Sequence, residues 1–395
     1  MPDLLLEKPR PLGMSYWPLT EDAPGVALAR EEIRLVTPDG VLVRGLLWTP
    51  AGKPWHTGVI LAHPRGDFSV HYACPLLAAA GFAVLGFSTR YLNNDADCLH
   101  EKCVVDVETA AAEMRRRGAR HLVLFGNSGG GSLMALAQAE TGCGDAWVGV
   151  AAHPGEGVFM GQVIDPSVAD EDDPLSIVPE LDMYDPRNGW RPWPEPSRYD
   201  RAWLETYRTA QTERIAKLDA IARARIAAAD AAREAGRGLE RGSDAWRDAR
   251  RRGLHTPYLT IYRTLADPAY LDPTIEPDDR PLGSLFAFPD PFEANWFSRF
   301  GLARVMTPYG WLSTWSSLSS HAKLADTMPR VRCPVLILHP TADTEIRLRQ
   351  AREIRDVAGS DDVTYQELRG APHYLEGHRP GAMATVADWI RERFA

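Results

Sequence analysis

The sequence predicts an α/β fold: a doubly wound, mostly parallel sheet with a mostly helical segment inserted between its sixth and seventh strands. Three observations predict it. Short apolar runs alternate with helical patterns from about residue 31 to residue 152. That rhythm stops near Gly155 and resumes at Cys333. Strands separated by helices must pair in parallel, because each helix carries the chain back across the sheet. The length of 395 residues fits one large domain or two of ordinary size. With 45% hydrophobic and 25% charged residues, the chain has the balance of a soluble protein with a packed core.

The elements read in order as follows. Glu31 to Thr37 and Val41 to Thr49 are strands around the tight turn Pro38-Asp39-Gly40. Gly58 to His63 is the third strand. A helix covers Val70 to Ala80 and stops at Gly81, and Phe82 to Phe87 is a strand. Glu101 to Arg117 is a helix ended by Gly118. His121 to Phe125 is a strand, Gly131 to Ala139 a helix, and Ala146 to Ala152 a strand. Past Gly155, residues 165–200 are rich in proline and acid, and the run Asp170 to Asp173 reads as a solvated loop. Asp200 to Ala235 reads as one long helix, or two that nearly join. Leu204, Tyr207, Gln211, Ile215, Leu218, Ala222 and Ile226 recur every three or four residues there, and Gly236 is its stop. Pro334 to His339 and Val363 to Leu368 are strands. Glu345 to Ala358 and Pro380 to Phe394 are helices. The division is a core in two parts, 1–154 and 329–395, around a helical lid, 155–328. An insertion there sits over the carboxyl ends of the strands, where open α/β sheets bind ligands.

A net charge of −9 argues against nucleic acid or an anionic membrane as partner. No run reaches the roughly 18 apolar residues of a membrane span. Met1 to Lys8 has no signal-peptide pattern. The five cysteines, Cys74, Cys98, Cys103, Cys143 and Cys333, are odd in number and scattered, which reads as free thiols in a reducing cytoplasm. Cys98, His100 and Cys103 suggest a metal site only weakly, because no second pair stands nearby. No metal and no cofactor are expected. Homo-oligomer formation stays open.

The chemistry is carried by Gly126-Asn127-Ser128-Gly129-Gly130, between a predicted strand and a predicted helix. A serine there, with glycine two residues away on each side, has the pattern of a nucleophile elbow. A serine hydroxyl needs a base, and the base needs an orienting acid. On this topology they follow in the order serine, acid, histidine. Asp343 follows the strand Pro334 to His339, and His373 follows the last strand, in Gly370-Ala-Pro-His-Tyr-Leu375. Glu156, just after the sixth strand, is the rival acid, and His378 the rival base.

These residues resemble the α/β-hydrolase family. The resemblance covers the core, a little over half of the chain, and the insertion matches no family pattern. It implies a catalytic triad of Ser128, Asp343 and His373. It also implies an oxyanion hole made by the Gly129 backbone N–H and a donor from the loop Ala62-His-Pro-Arg-Gly-Asp67. Pro64 has no N–H, so Arg65 N–H is the expected second donor. The Arg65 side chain is expected to pair with Asp67, with an anionic substrate group as its alternative partner. Trp311, Trp315 and Trp190 are the lid aromatics expected to line an apolar substrate pocket, although most lid aromatics must serve the lid's own core. The implied activity is cleavage of a small-molecule carboxylic ester through an acyl-enzyme. Amide, thioester or carbon–carbon bond hydrolysis and acyl transfer use the same parts, and a non-catalytic ligand-binding protein of the same fold is the alternative of another class. A histidine base implies a rate that rises with pH through about 6.5, moved up by Asp343 and down by burial.

Overall fold

The computed structural model describes residues 16–18, 24–283, 290–297 and 301–394. Met1 to Lys8, read above for a signal pattern, lies outside the described residues.

Eight strands form one sheet: β1 Leu28–Val36, β2 Leu42–Pro50, β3 Thr57–Leu61, β4 Ala83–Ser88, β5 His121–Ser128, β6 Ala146–Ala152, β7 Val335–Pro340 and β8 Val363–Leu368. Their order is β1-β2-β4-β3-β5-β6-β7-β8. β2 runs antiparallel to both β1 and β4, and every pairing from β4 to β8 is parallel. The helices between them are α1 Ala73–Ala79, α2 His100–Arg116 and α3 Gly129–Thr141, and later α7 Leu348–Val357 and α8 Arg379–Phe394. Between β6 and β7 stand α4 Glu156–Val163, α5 Arg201–Arg237 and α6 Asp244–Leu254, with shorter turns around them.

The sheet is covered on both faces, and side-chain alternation decides which residue goes where. In β5, Leu122 and Leu124 pack with α2 and α3, while Val123 and Phe125 pack with α1 and α8. In β7, Val335 and Ile337 join the first layer, and Leu336 and Leu338 the second. Burial on both sides is why these strands read as continuous apolar runs.

The insertion has its own cores. Phe159 and Met160 of α4, Ile215 and Leu218 of α5, and Trp311 and Trp315 make one; Tyr184, Tyr199 and Tyr207 belong to a second. α5 is a single helix of 37 residues. The Asp200 side chain caps it by accepting from the N–H groups of Ala202 and Trp203. It runs past the expected stop at Gly236 and ends at Arg237. Buried Asp219 on α5 accepts from Trp311 Nε1 at 2.8 Å and from Ser316 Oγ at 3.0 Å. Asp267 of the insertion is bound by Arg208 at 2.6 Å and by Arg347, next to α7, at 2.8 Å. This buried ion cluster ties the insertion to the second part of the core. Among the described residues no helix is long and apolar enough to cross a membrane.

Candidate active site

β5 runs three residues beyond its apolar run and ends on Ser128, where its register against β6 shifts. Ser128 has φ +53° and ψ −134°, a backbone conformation that costs a non-glycine residue about 1–3 kcal/mol. α3 begins at the next residue, so the strained serine stands at the helix N-terminus. Two glycines permit the crossing. A Cβ on Gly126 would collide with Gly131, and one on Gly130 with the carbonyl oxygen of Ala62. Asn127 fixes the turn from below. Its Nδ2 donates to Val150 O at 2.8 Å, and its Oδ1 accepts from His71 Nε2 at 3.1 Å. His71 Nδ1 accepts from Ala73 N–H, so the ring is neutral with its proton on Nε2. Burial pulls its pKa down to about 3.

The turn after β7 carries Asp343. One carboxylate oxygen accepts the N–H groups of Glu345 and Ile346 at 2.7 and 3.0 Å; the other stands 2.8 Å from His373 Nδ1. Both residues are buried. Burial would raise the Asp343 pKa, but the charge and hydrogen bond of His373 hold it below the usual carboxylate value. His373 Nε2 has no hydrogen-bond partner among the described residues and lies 3.6 Å from Glu345 Oε2. Ser128 interacts with the hydroxyl of Tyr374, the residue after the histidine. Thus serine and imidazole are not bonded to each other here, and the proton-accepting nitrogen is unpaired and buried. The rival pair is placed elsewhere. Glu156 binds Arg65, and His378 is exposed, with Nδ1 on Glu376 O.

A cleft of about 200 Å³ opens at Ser128. Its wall includes Tyr16, His63, Arg65, His153 and Glu345, with Glu156, Phe159 and Leu302 supplied by the insertion. His63 Nδ1 accepts from the N–H groups of both Arg65 and Gly66, at 3.1 and 3.0 Å. This fixes His63 as a neutral ring with its proton on Nε2, and burial, opposed by the Glu156 charge, takes its pKa to about 3. Arg65 N–H, expected to be free for an oxyanion, is therefore already engaged. The Arg65 side chain corrects a second expectation. It pairs with Glu156 (Nη2 to Oε1, 3.2 Å) and not with Asp67, which instead accepts from Ser69 N–H and Ser88 Oγ. The guanidinium also lies 4.6 Å from the centroid of the Trp315 ring. Glu156 is buried, yet Arg65 holds its pKa down at about 2.

None of the three tryptophans singled out from the sequence lines the cleft. Trp311 and Trp315 are fully buried in the insertion's core, where Trp311 Nε1 donates to Asp219 and the Trp315 ring is covered by the Arg65 guanidinium. Trp190 packs against Tyr184 and Phe292 in the second cluster. Cys98, His100 and Cys103 are all buried at the start of α2, and neither ring nitrogen of His100 has a hydrogen-bond partner among the described residues. His63, His153 and Glu345 escape a reading of the sequence. The histidine at the head of the loop after β3 is the one signal that could have pointed to His63.

No known protein-family model matches the chain, and no curated protein matches it. Solved structures do. DcsB, determined with its substrate analogue, shares 13% identity over 93% of this chain and 100% of its own, with a TM-score of 0.53. The alpha/beta hydrolase GrgF from Penicillium sp. sh18 shares 13% identity over 92% of this chain and 98% of its own, at TM-score 0.53. Hypothetical protein PA2218 from Pseudomonas aeruginosa shares 14% identity over 96% of this chain and 100% of its own, at TM-score 0.51. At such identities the likeness speaks for the path of the chain and the order of its strands.

Proposed function

The chain has the α/β-hydrolase fold, and from that premise we propose that it is a serine hydrolase cleaving a small carboxylic ester through an acyl-enzyme. One observation carries the reading. A serine in a strained strand-to-helix turn lines the cleft and meets Tyr374, the neighbour of a buried imidazole whose Nδ1 is held by Asp343. Ser128 Oγ attacks the ester carbonyl as His373 Nε2 takes its proton. The developing oxyanion is met by Gly129 N–H at the start of α3. His373 then protonates the leaving alcohol, and the ester carbon stays bonded to Ser128 Oγ. Water, deprotonated by His373, attacks that carbon. The acid leaves and the serine recovers its proton. Asp343 keeps the ring in one tautomer and stabilises its cation. Residues 155–328 serve as the cap, touching the cleft through Glu156, Phe159 and Leu302. The small volume of the cleft, about 200 Å³, favours a short acyl group over a long hydrocarbon chain.

The test is the reaction of the purified chain with a fluorophosphonate, followed by a panel of esters, amides and thioesters. Wild type should be labelled on Ser128 and should turn over a short ester. Ser128→Ala should lose both, with turnover falling by several orders of magnitude. Labelling elsewhere, or ester turnover by Ser128→Ala near the wild-type rate, would overturn the proposal.

A further inference from the structure

One buried carboxylate in the cleft has no part in the reaction as written. Glu345 sits two residues after Asp343, and its Oε2 lies 3.6 Å from His373 Nε2 and 3.5 Å from His153 Nε2. His373 is therefore flanked by two acids, Asp343 at Nδ1 and Glu345 at Nε2. An imidazole between two carboxylates favours a proton on both nitrogens. That form cannot accept a proton from serine. We propose that Glu345 is a positioning residue that holds His373 as a cation in the resting enzyme, and so sets the pH at which His373 becomes a base. The inference rests on the Ser128 and His373 chemistry proposed above.

The surroundings of His373 support it. Asp343 and Glu345 face the ring from the turn after β7, His339 from β7 itself, His153 from the end of β6, and Tyr374 and Glu376 from its own loop. Burial lowers the pKa of His373. The charge of Asp343, then that of Glu345, outweighs burial and lifts it to about 9. His339 lies the other way, its pKa lowered by burial, so it adds no competing charge at neutral pH. At pH 7, two units below that midpoint, only about one molecule in a hundred would carry the free base.

The experiment is an NMR titration of the full-length chain with carbon-labelled imidazoles. The His373 signal is assigned from a His373→Gln variant. In wild type His373 should titrate well above 6.5. Glu345→Gln keeps the shape and removes the charge, and should lower the midpoint by about one to three pH units, as expected for loss of an opposite charge within 4–6 Å. Glu345→Met removes the same charge by another route and should give the same fall, while Glu345→Asp should keep a raised midpoint. An unmoved His373 midpoint in Glu345→Gln or Glu345→Met would overturn the proposal. So would a change confined to His153, which would make that ring the true partner. The titration needs no turnover. Failure of Ser128 to react with fluorophosphonate would sink the hydrolase reading alone, and normal labelling with an unmoved midpoint would sink this inference alone.

Discussion

Arg65 and Glu156 form an ion pair 91 residues apart in sequence, with Nη2 and Oε1 at 3.2 Å, in the wall of the cleft that holds Ser128. Glu156 is nearly inaccessible, so it cannot be left alone cheaply. Removing one member of a buried pair strands the other and costs about 3–5 kcal/mol, whereas removing both is often tolerated. Arg65 is partly exposed, and water should bring the cost toward the lower end. Glu156→Gln should therefore lower the urea midpoint more than the double variant Arg65→Met with Glu156→Gln does. A double-mutant cycle measured by urea denaturation reads this directly. Additive single effects would show that the pair contributes nothing.

Asn127 should prove structural although it neighbours the nucleophile. Asn127→Ala leaves Val150 O and His71 Nε2–H without their partner, both in a buried setting. Each stranded group costs about 1–3 kcal/mol. The expected outcome is a lower melting temperature together with slower fluorophosphonate labelling of Ser128, because the strained turn loses its anchor. Unchanged stability would mean that the two bonds do not hold the elbow.

The core was legible because its central strands are buried on both faces. β6 lies where its apolar run places it, at Ala146–Ala152, and the part-exposed edge strand β8 lies at Val363–Leu368, where β-branched and aromatic residues place it. The path through the elbow was legible too, since the glycines at 126 and 130 are required by close backbone approach. The partners of charged groups were not. Asp67 is the near neighbour of Arg65 in sequence, but the fold brings Glu156 to it from the end of β6. Glu345 reads as the first residue of a helix. The helix begins only at Leu348, because Asp343 takes the N–H groups of Glu345 and Ile346 into a turn. α4 was missed because it follows a Pro-Gly pair that reads as loop. The tryptophans show the same limit: composition says they are apolar and large, but only tertiary packing decides which core receives them.

Trp311 should matter for folding more than for substrate choice. It is fully buried, its Nε1 is bonded to Asp219, and it does not reach the cleft. Trp311→Ala should cost about 3–5 kcal/mol in urea denaturation, as for other large-to-small core changes. It should leave the ratio of kcat/KM between a short and a bulky ester unchanged. Trp315→Ala should also destabilise, but it removes the ring on which Arg65 rests, so it should raise KM as well. A changed acyl preference in Trp311→Ala would place that ring nearer the substrate than its packing indicates.

Folding stability should peak near pH 6.5 and fall more steeply on the acid side. The directions follow from which state binds the proton. His71 is fully buried and His63 mostly so, both as neutral rings with pKa values of about 3, while in the unfolded chain they take up protons below their ordinary 6.5. As pH falls from 6.5 toward 3, the unfolded state gains two protons that the folded state refuses, so stability is lost. Burial lowers His100 and His339 as well, which adds to this limb. Glu156 is lowered from 4.5 to about 2 by Arg65, so its contribution is present above 4.5 and is lost as pH falls through 2. His373 acts on the other side. Its pKa is raised to about 9, so its contribution is complete below 6.5 and is lost as pH rises through 9. One proton of difference changes stability by about 1.4 kcal/mol per pH unit at most. Two or more on the acid limb against one on the alkaline limb make the acid slope at least about twice as steep. Urea unfolding at pH 4.5, 6.5 and 8.5 measures it. Stability that holds constant or rises from pH 6.5 to 4.5 would mean that His63 and His71 accept protons in the folded chain, and that the loop after β3 and the support beneath the elbow are not built on neutral rings.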